Sequence, residues 1–96
     1  MSSLRVQRVE SLLQEEIGRL VLSQEIKDPR VTSMVVINGV RVSKDLEHAR
    51  VMVAGYLSER QLKLAVAGLN SATGFIQRRL ASKLRFRVTP KLRFMV

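Results

Sequence analysis

Hydrophobic positions recur at three- and four-residue steps through the first segment of the chain. Val6, Val9, Leu13, Ile17, Leu20 and Val21 share one stripe, while Arg5, Arg8, Glu15, Glu16 and Arg19 lie off it. This spacing predicts an amphipathic helix over residues 3–24. Gly18 weakens that helix without breaking it. Lys27-Asp28-Pro29-Arg30 ends it, because proline cannot continue a helix and biases the residue before it toward extended geometry. The pattern then changes to one suited to strands. Val31 to Val42 carries Val31, Val35, Val36, Ile37, Val40 and Val42, and Ala49 to Leu57 alternates, with Ala49, Val51 and Val53 on one face. Ser43-Lys44-Asp45-Leu46 is turn material between them. Asn38-Gly39 could make a hairpin turn, but the following arm would be only three residues, so one long strand with a bulge at Gly39 is expected.

Ser58-Glu59-Arg60-Gln61 fits a capping box, and Leu62, Ala65, Val66 and Leu69 give the helix after it an apolar stripe. Asn70 to Thr73 breaks this period. Another helix is predicted from Gly74 or Phe75, burying Ile76, Leu80 and Leu84. A last strand is expected with Phe86, Val88, Pro90, Leu92 and Phe94 facing one way and Arg85, Arg87, Thr89, Lys91 and Arg93 the other. Pro90 suggests an edge position or a bulge there. The order is α-β-β-α-α-β, without repeats or a flexible linker. It points to one compact α+β domain over residues 1–96, a three-stranded sheet with helices on one face.

Charge changes the picture. Through Glu59, eight basic residues balance all eight acidic ones; nine basic residues and no acidic one follow it, and the net charge of +9 sits there. Arginine outnumbers lysine six to three in that part, and its planar fork suits phosphate. A merely solvated face would mix signs, so a polyanionic partner is indicated, nucleic acid before an anionic membrane. A membrane-surface helix would need an exposed apolar face, whereas Ile76, Leu80 and Leu84 are needed by the core. No apolar run approaches the roughly 20 residues that span a bilayer. The absence of cysteine removes thiolate nucleophiles, disulfides and Cys-ligated zinc, and fits a cytoplasmic protein.

Catalysis has little to stand on. The one histidine, His48, lies close to Asp45 and Glu47, but neighbouring strand positions diverge, and no nucleophile motif or phosphate loop is present. No catalytic residue, metal site or cofactor is expected. The contact residues expected for RNA are Arg78, Arg79, Lys83, Arg85, Arg87, Lys91 and Arg93, with Arg41, Lys44 and Arg50 as weaker candidates. Aromatic platforms are scarce, which favours binding through phosphate and shape over base readout. A general nucleic-acid-binding domain, DNA included, satisfies the same features.

The segments QRVESLLQEEI, QEIKDPRV, INGVRVSKDLEHARVMV and SATGFIQRRLASKLRFRVTPKLRF resemble the ribosome-binding factor A family, in order and over nearly the whole chain. The resemblance implies a type II KH-like fold in which Ala72-Thr73-Gly74, an Ala-x-Gly kink, replaces the Gly-x-x-Gly loop that clamps RNA in most such domains. It implies a non-enzymatic assembly factor, expected to be monomeric and cytoplasmic, without cofactor. Such a factor would bind the free 30S subunit and assist late maturation and end processing of 16S rRNA, including in the cold. Family members continue beyond the last strand with an aspartate-containing segment and a further helix. This sequence stops at Val96, so contacts made by that extension are expected to be missing.

Overall fold

A computed structural model describes residues 3–96. The elements are α1 (Leu4–Leu22), β1 (Val35–Val42), β2 (His48–Gly55), α2 (Glu59–Ser71), α3 (Thr73–Leu84) and β3 (Lys91–Met95). Their order is the one the sequence pattern predicts. The strands form one sheet in the order β1-β2-β3, with β1 antiparallel and β3 parallel to the central β2. A parallel neighbour cannot be reached by a tight turn, so α2 and α3 together make the crossover.

Helix α1 starts at Ser3, whose hydroxyl accepts from the Val6 N–H at 3.1 Å. It ends where Gln24 takes a left-handed φ of 58°. Its stripe is buried at Val6, Leu13, Ile17, Leu20 and Val21. In α2 the capping box forms as expected, with Ser58 and Gln61 each accepting from the other's backbone. The two helices of the crossover are separated by Ala72 alone, a sharper break than the four residues the sequence pattern suggested. The Ala72 N–H closes α2 on Gly68 and Leu69, and its carbonyl accepts from the Ile76 N–H at 3.0 Å to open α3.

Burial alternates along every strand. Val35, Ile37, Val40 and Val42 of β1, Ala49, Val51 and Val53 of β2, and Leu92 and Phe94 of β3 face the helices. In β1 the buried positions change from odd to even numbers. The ladder shifts between Ile37 and Gly39, leaving Asn38 without a partner, so the expected bulge is what keeps both halves of β1 facing the core. At the far end of this hairpin, a Cβ on Gly55 would lie 2.4 Å from the Met34 carbonyl oxygen at a φ of +145°, so only glycine fits there.

Two strand boundaries differ from expectation. β1 begins at Val35 rather than Val31, because residues 28–35 turn on themselves through Val31 N–H to Asp28 and Val35 N–H to Thr32 bonds. β3 begins at Lys91. Its first partner, His48, is also the first residue of β2, so residues 85–90 have no strand beside them, and Pro90 has no N–H to offer a ladder. The alternation there therefore buries only Pro90, while Val88 is 67% exposed and Phe86 half-buried.

The sheet edges are held from the helices. On β1, the Val42 N–H donates to Glu10 Oε2 at 2.9 Å and Gln14 Nε2 donates to the Ile37 carbonyl at 3.3 Å. On β3, the Phe94 N–H donates to Asn70 Oδ1 at 2.9 Å while Asn70 Nδ2 donates to the Phe94 carbonyl at 3.1 Å. The Asn70 amide thus takes the place of a neighbouring peptide. Replacing Asn70 with Ala leaves both backbone groups of Phe94 without these partners. The expected loss is about 1–3 kcal/mol in urea denaturation; an unchanged midpoint and slope would show that the amide contributes nothing.

Candidate nucleic-acid interface

Helix α3 buries Ile76 and Leu80 and presents Arg78, Arg79 and Lys83 to solvent. The three cations are not equivalent. Arg79 is bonded through Nη2 to Glu25 Oε1, and its guanidinium lies 5.8 Å from the centre of the Phe75 ring. It ties α3 to the segment after α1. Arg78 and Lys83 have no carboxylate partner among the described residues. The Arg78 guanidinium folds back toward the kink, where a Cβ on Gly74 would stand 3.5 Å from its Nη1. Its charge therefore lies near the N-terminus of α3, whose dipole also favours anions. Ala72 offers that terminus no side-chain acceptor, and Thr73 turns its hydroxyl to the Asn70 carbonyl at 3.1 Å.

The Lys27–Arg30 turn braces this kink. Asp28 accepts from the Arg30 N–H at 2.9 Å, from Nε at 3.0 Å and from Nη2 at 2.8 Å. The same Nη2 reaches Ser71 Oγ at 3.4 Å. Gly68 of α2 lets the turn approach: a Cβ there would sit 3.0 Å from Val31 and 3.1 Å from the Asp28 carboxyl. Between Glu25–Asp28 and Ser71, Ala72 and Phe75 lies an open cleft of about 320 Å³. The sequence pattern marks Asp28 and Arg30 only as part of the stop after the first helix and gives Glu25 no role, although the conspicuous QEIKDPRV segment contains all three.

The other expected contact residues lie elsewhere. Arg85 adopts a left-handed φ of 54° as the C-cap of α3. Arg87 lies in the loop after it and lines a groove of about 300 Å³ with Arg5, Phe86, Asp45 and Glu47, so carboxylates share its surroundings. Lys44 is exposed in the β1–β2 turn. Lys91 and Arg93 do not adjoin the α3 ridge. Leu92 and Phe94 face the helices, so the residues alternating with them must project from the opposite face. The expected contact residues of helix and strand are thus divided by the sheet itself. On that opposite face Arg93 pairs in register with Arg50, and Arg50 with Arg41. His48 lies on this face beside Lys91, while Glu47 lines the groove on the other side, so the two diverge as expected.

The brace has a pH signature. Its bonds to Arg30 hold the Asp28 carboxyl at about 2, below the ordinary 3.8. A depressed acid stabilises the fold above its unfolded-state value and loses that contribution as pH falls through the folded one. Stability from this pair should therefore be intact above about pH 4 and decline toward pH 2. Asp28→Asn should remove that part of the acid slope in urea titrations; an unaltered slope would show the carboxylate is not coupled to folding.

The family model for "Ribosome-binding factor A" matches residues 5–96. The chain is 46% identical to a ribosome-binding factor A from Treponema denticola over 99% of its own length and 72% of the relative's. A crystal structure of ribosome-binding factor A from Thermus thermophilus superposes with a TM-score of 0.77 at 27% identity, covering 94% of this chain and 93% of the other. A Thermus thermophilus ribosome-binding factor A homology model, fitted into an electron cryo-microscopy map of its complex with 30S, superposes with a TM-score of 0.64. It is 28% identical, and the match covers 86% of this chain and 89% of that one.

Proposed function

Because the chain belongs to the ribosome-binding factor A family, we propose that it binds the free 30S ribosomal subunit. There it would act as an assembly factor in late maturation and end processing of 16S rRNA, growth in the cold included. The observation that carries the contact assignment is two exposed cations on α3 without a carboxylate partner among the described residues, Arg78 beside the Ala72 kink and Lys83 in the last turn. Phosphates meeting these cations would release condensed counterions, and the positive end of α3 adds to the attraction at Arg78. No loop closes over the RNA. The kink is held by backbone hydrogen bonds and by the Asp28–Arg30 brace, so recognition rests on the fit of a preset edge to a structured RNA. Arg79, committed to Glu25, serves chiefly to position the ridge. Arg85 and Arg87 extend it from the loop, with Arg87 weakened by its acidic neighbours.

On this reading residues 1–96 act as one monomeric cytoplasmic domain, by holding one rRNA arrangement over another and not by chemistry. Co-sedimentation with separated 30S, 50S and 70S particles over a range of salt tests it. The chain should pellet with 30S in preference to the others at moderate salt. Arg78→Gln with Lys83→Gln should weaken 30S association and flatten its logarithmic salt dependence by about two units, roughly one per lost phosphate contact. Equal pelleting with 50S would indicate a general nucleic-acid binder instead. An unchanged salt slope in the double variant would remove α3 from the contact surface.

A further inference from the structure

We propose that the open face of the sheet is a second RNA-phosphate site, separate from the α3 ridge, so that the protein holds two RNA segments on opposite sides. The proposal rests on the reading above that the chain binds RNA. Its basis is the register. Arg41, Arg50 and Arg93 occupy matched positions on β1, β2 and β3 and share the face turned away from the helices. Strands stand about 4.8 Å apart, so three guanidinium stems rise from a line about 10 Å long. The adjoining row adds His48 and Lys91.

Like charges directly opposite one another destabilise a sheet. None of these three arginines makes an ion pair among the described residues. The nearest carboxylates in sequence, Asp45 and Glu47, line the groove on the helix side. Asp45 is further occupied by the Ser43 hydroxyl at 2.6 Å and the Glu47 N–H at 3.0 Å. The row therefore has no ion-pairing carboxylate among the described residues, and a ligand with closely spaced negative charges supplies a counter-charge. A phosphodiester backbone matches on both spacing and chemistry, since each guanidinium can take a phosphate through two parallel hydrogen bonds.

The surroundings suit a backbone lying flat. Beside the arginine row runs Gly39, Met52 and Met95, where Gly39 has no side chain and the methionines are half-buried. The platform is also rigid. β2 is bonded on both sides, and both outer strands are fixed by Glu10, Gln14 and Asn70. The sheet and the helix layer separate this face from α3, so one RNA helix lying on either surface leaves the other free.

Native mass spectrometry with a short RNA duplex tests the proposal, using folded variants checked by circular dichroism. The wild-type chain should take up two duplexes. Arg41→Gln/Arg50→Gln/Arg93→Gln should take one, as should Arg78→Gln/Lys83→Gln, and the combination of all five should take none. Removing the like-charge row should leave the triple variant at least as stable as wild type in urea. Two duplexes on the triple variant, or only one on wild type, would overturn the second site. So would a polyglutamate of equal charge displacing duplex from the sheet-face site at equal concentration, since the partner would then be an acidic polypeptide. These readouts do not involve the ribosome: loss of 30S preference would sink the assembly-factor reading and leave the duplex count standing, and the reverse holds as well.

Discussion

Helices cover only one face of the three-stranded sheet, so every second residue of each strand must be compatible with water. The protein meets this constraint with cations. Val40, Val42, Val51, Leu92 and Phe94 fill the covered face, and Arg41, Arg50, Lys91 and Arg93 alternate with them on the bare one. The bulge at Asn38 belongs to the same requirement, because without the extra residue one half of β1 would turn its valines outward. Charge on the sheet is in this sense a consequence of the strand period. Charge on α3 has a different origin, as the outer side of a helix whose inner side packs through Ile76 and Leu80.

A small sheet with two open edges invites pairing with other chains. Here three polar side chains close them. Glu10 and Gln14, one helical turn apart on α1, reach the backbone of β1, and Asn70 reaches that of β3. Asn70 lies in the last turn of α2, just before the Ala72 break, so the same stretch that ends α2 also fixes the position of β3. The kink is held on its other side by Asp28, Arg30 and the close approach at Gly68. Edge, kink and turn therefore form one connected unit, and the α3 ridge takes its direction from it.

Much of this was readable from local pattern. The α1 stripe, the capping box at Ser58, the bulge near Gly39 and the order of elements all depend on residues close in sequence, and the structure places them as expected. The family resemblance was legible in the same way, from ordered segments. What misled was alternation without a partner: Phe86, Val88 and Pro90 have the period of a strand, yet β2 begins too late to pair with them. The remaining features join residues far apart in the chain. Arg79 with Glu25, Asn70 with Phe94, and the lateral row of Arg41, Arg50 and Arg93 follow from packing and register, which periodicity does not supply. The expected contact residues of α3 and β3 therefore fall on opposite sides of the sheet.

The one-residue break at Ala72 also bears on kinetics. A flexible clamp must lose conformational entropy when it closes on a ligand, and part of its encounter time is spent searching for the bound shape. Between α2 and α3 there is no loop to order, because the single intervening residue already has its N–H and its carbonyl in helical hydrogen bonds. A partner docking at this corner meets a shape that is complete before contact. Its arrival is then governed by diffusion and by the long-range attraction of the unbalanced positive charge, and any adaptation of form falls to the partner.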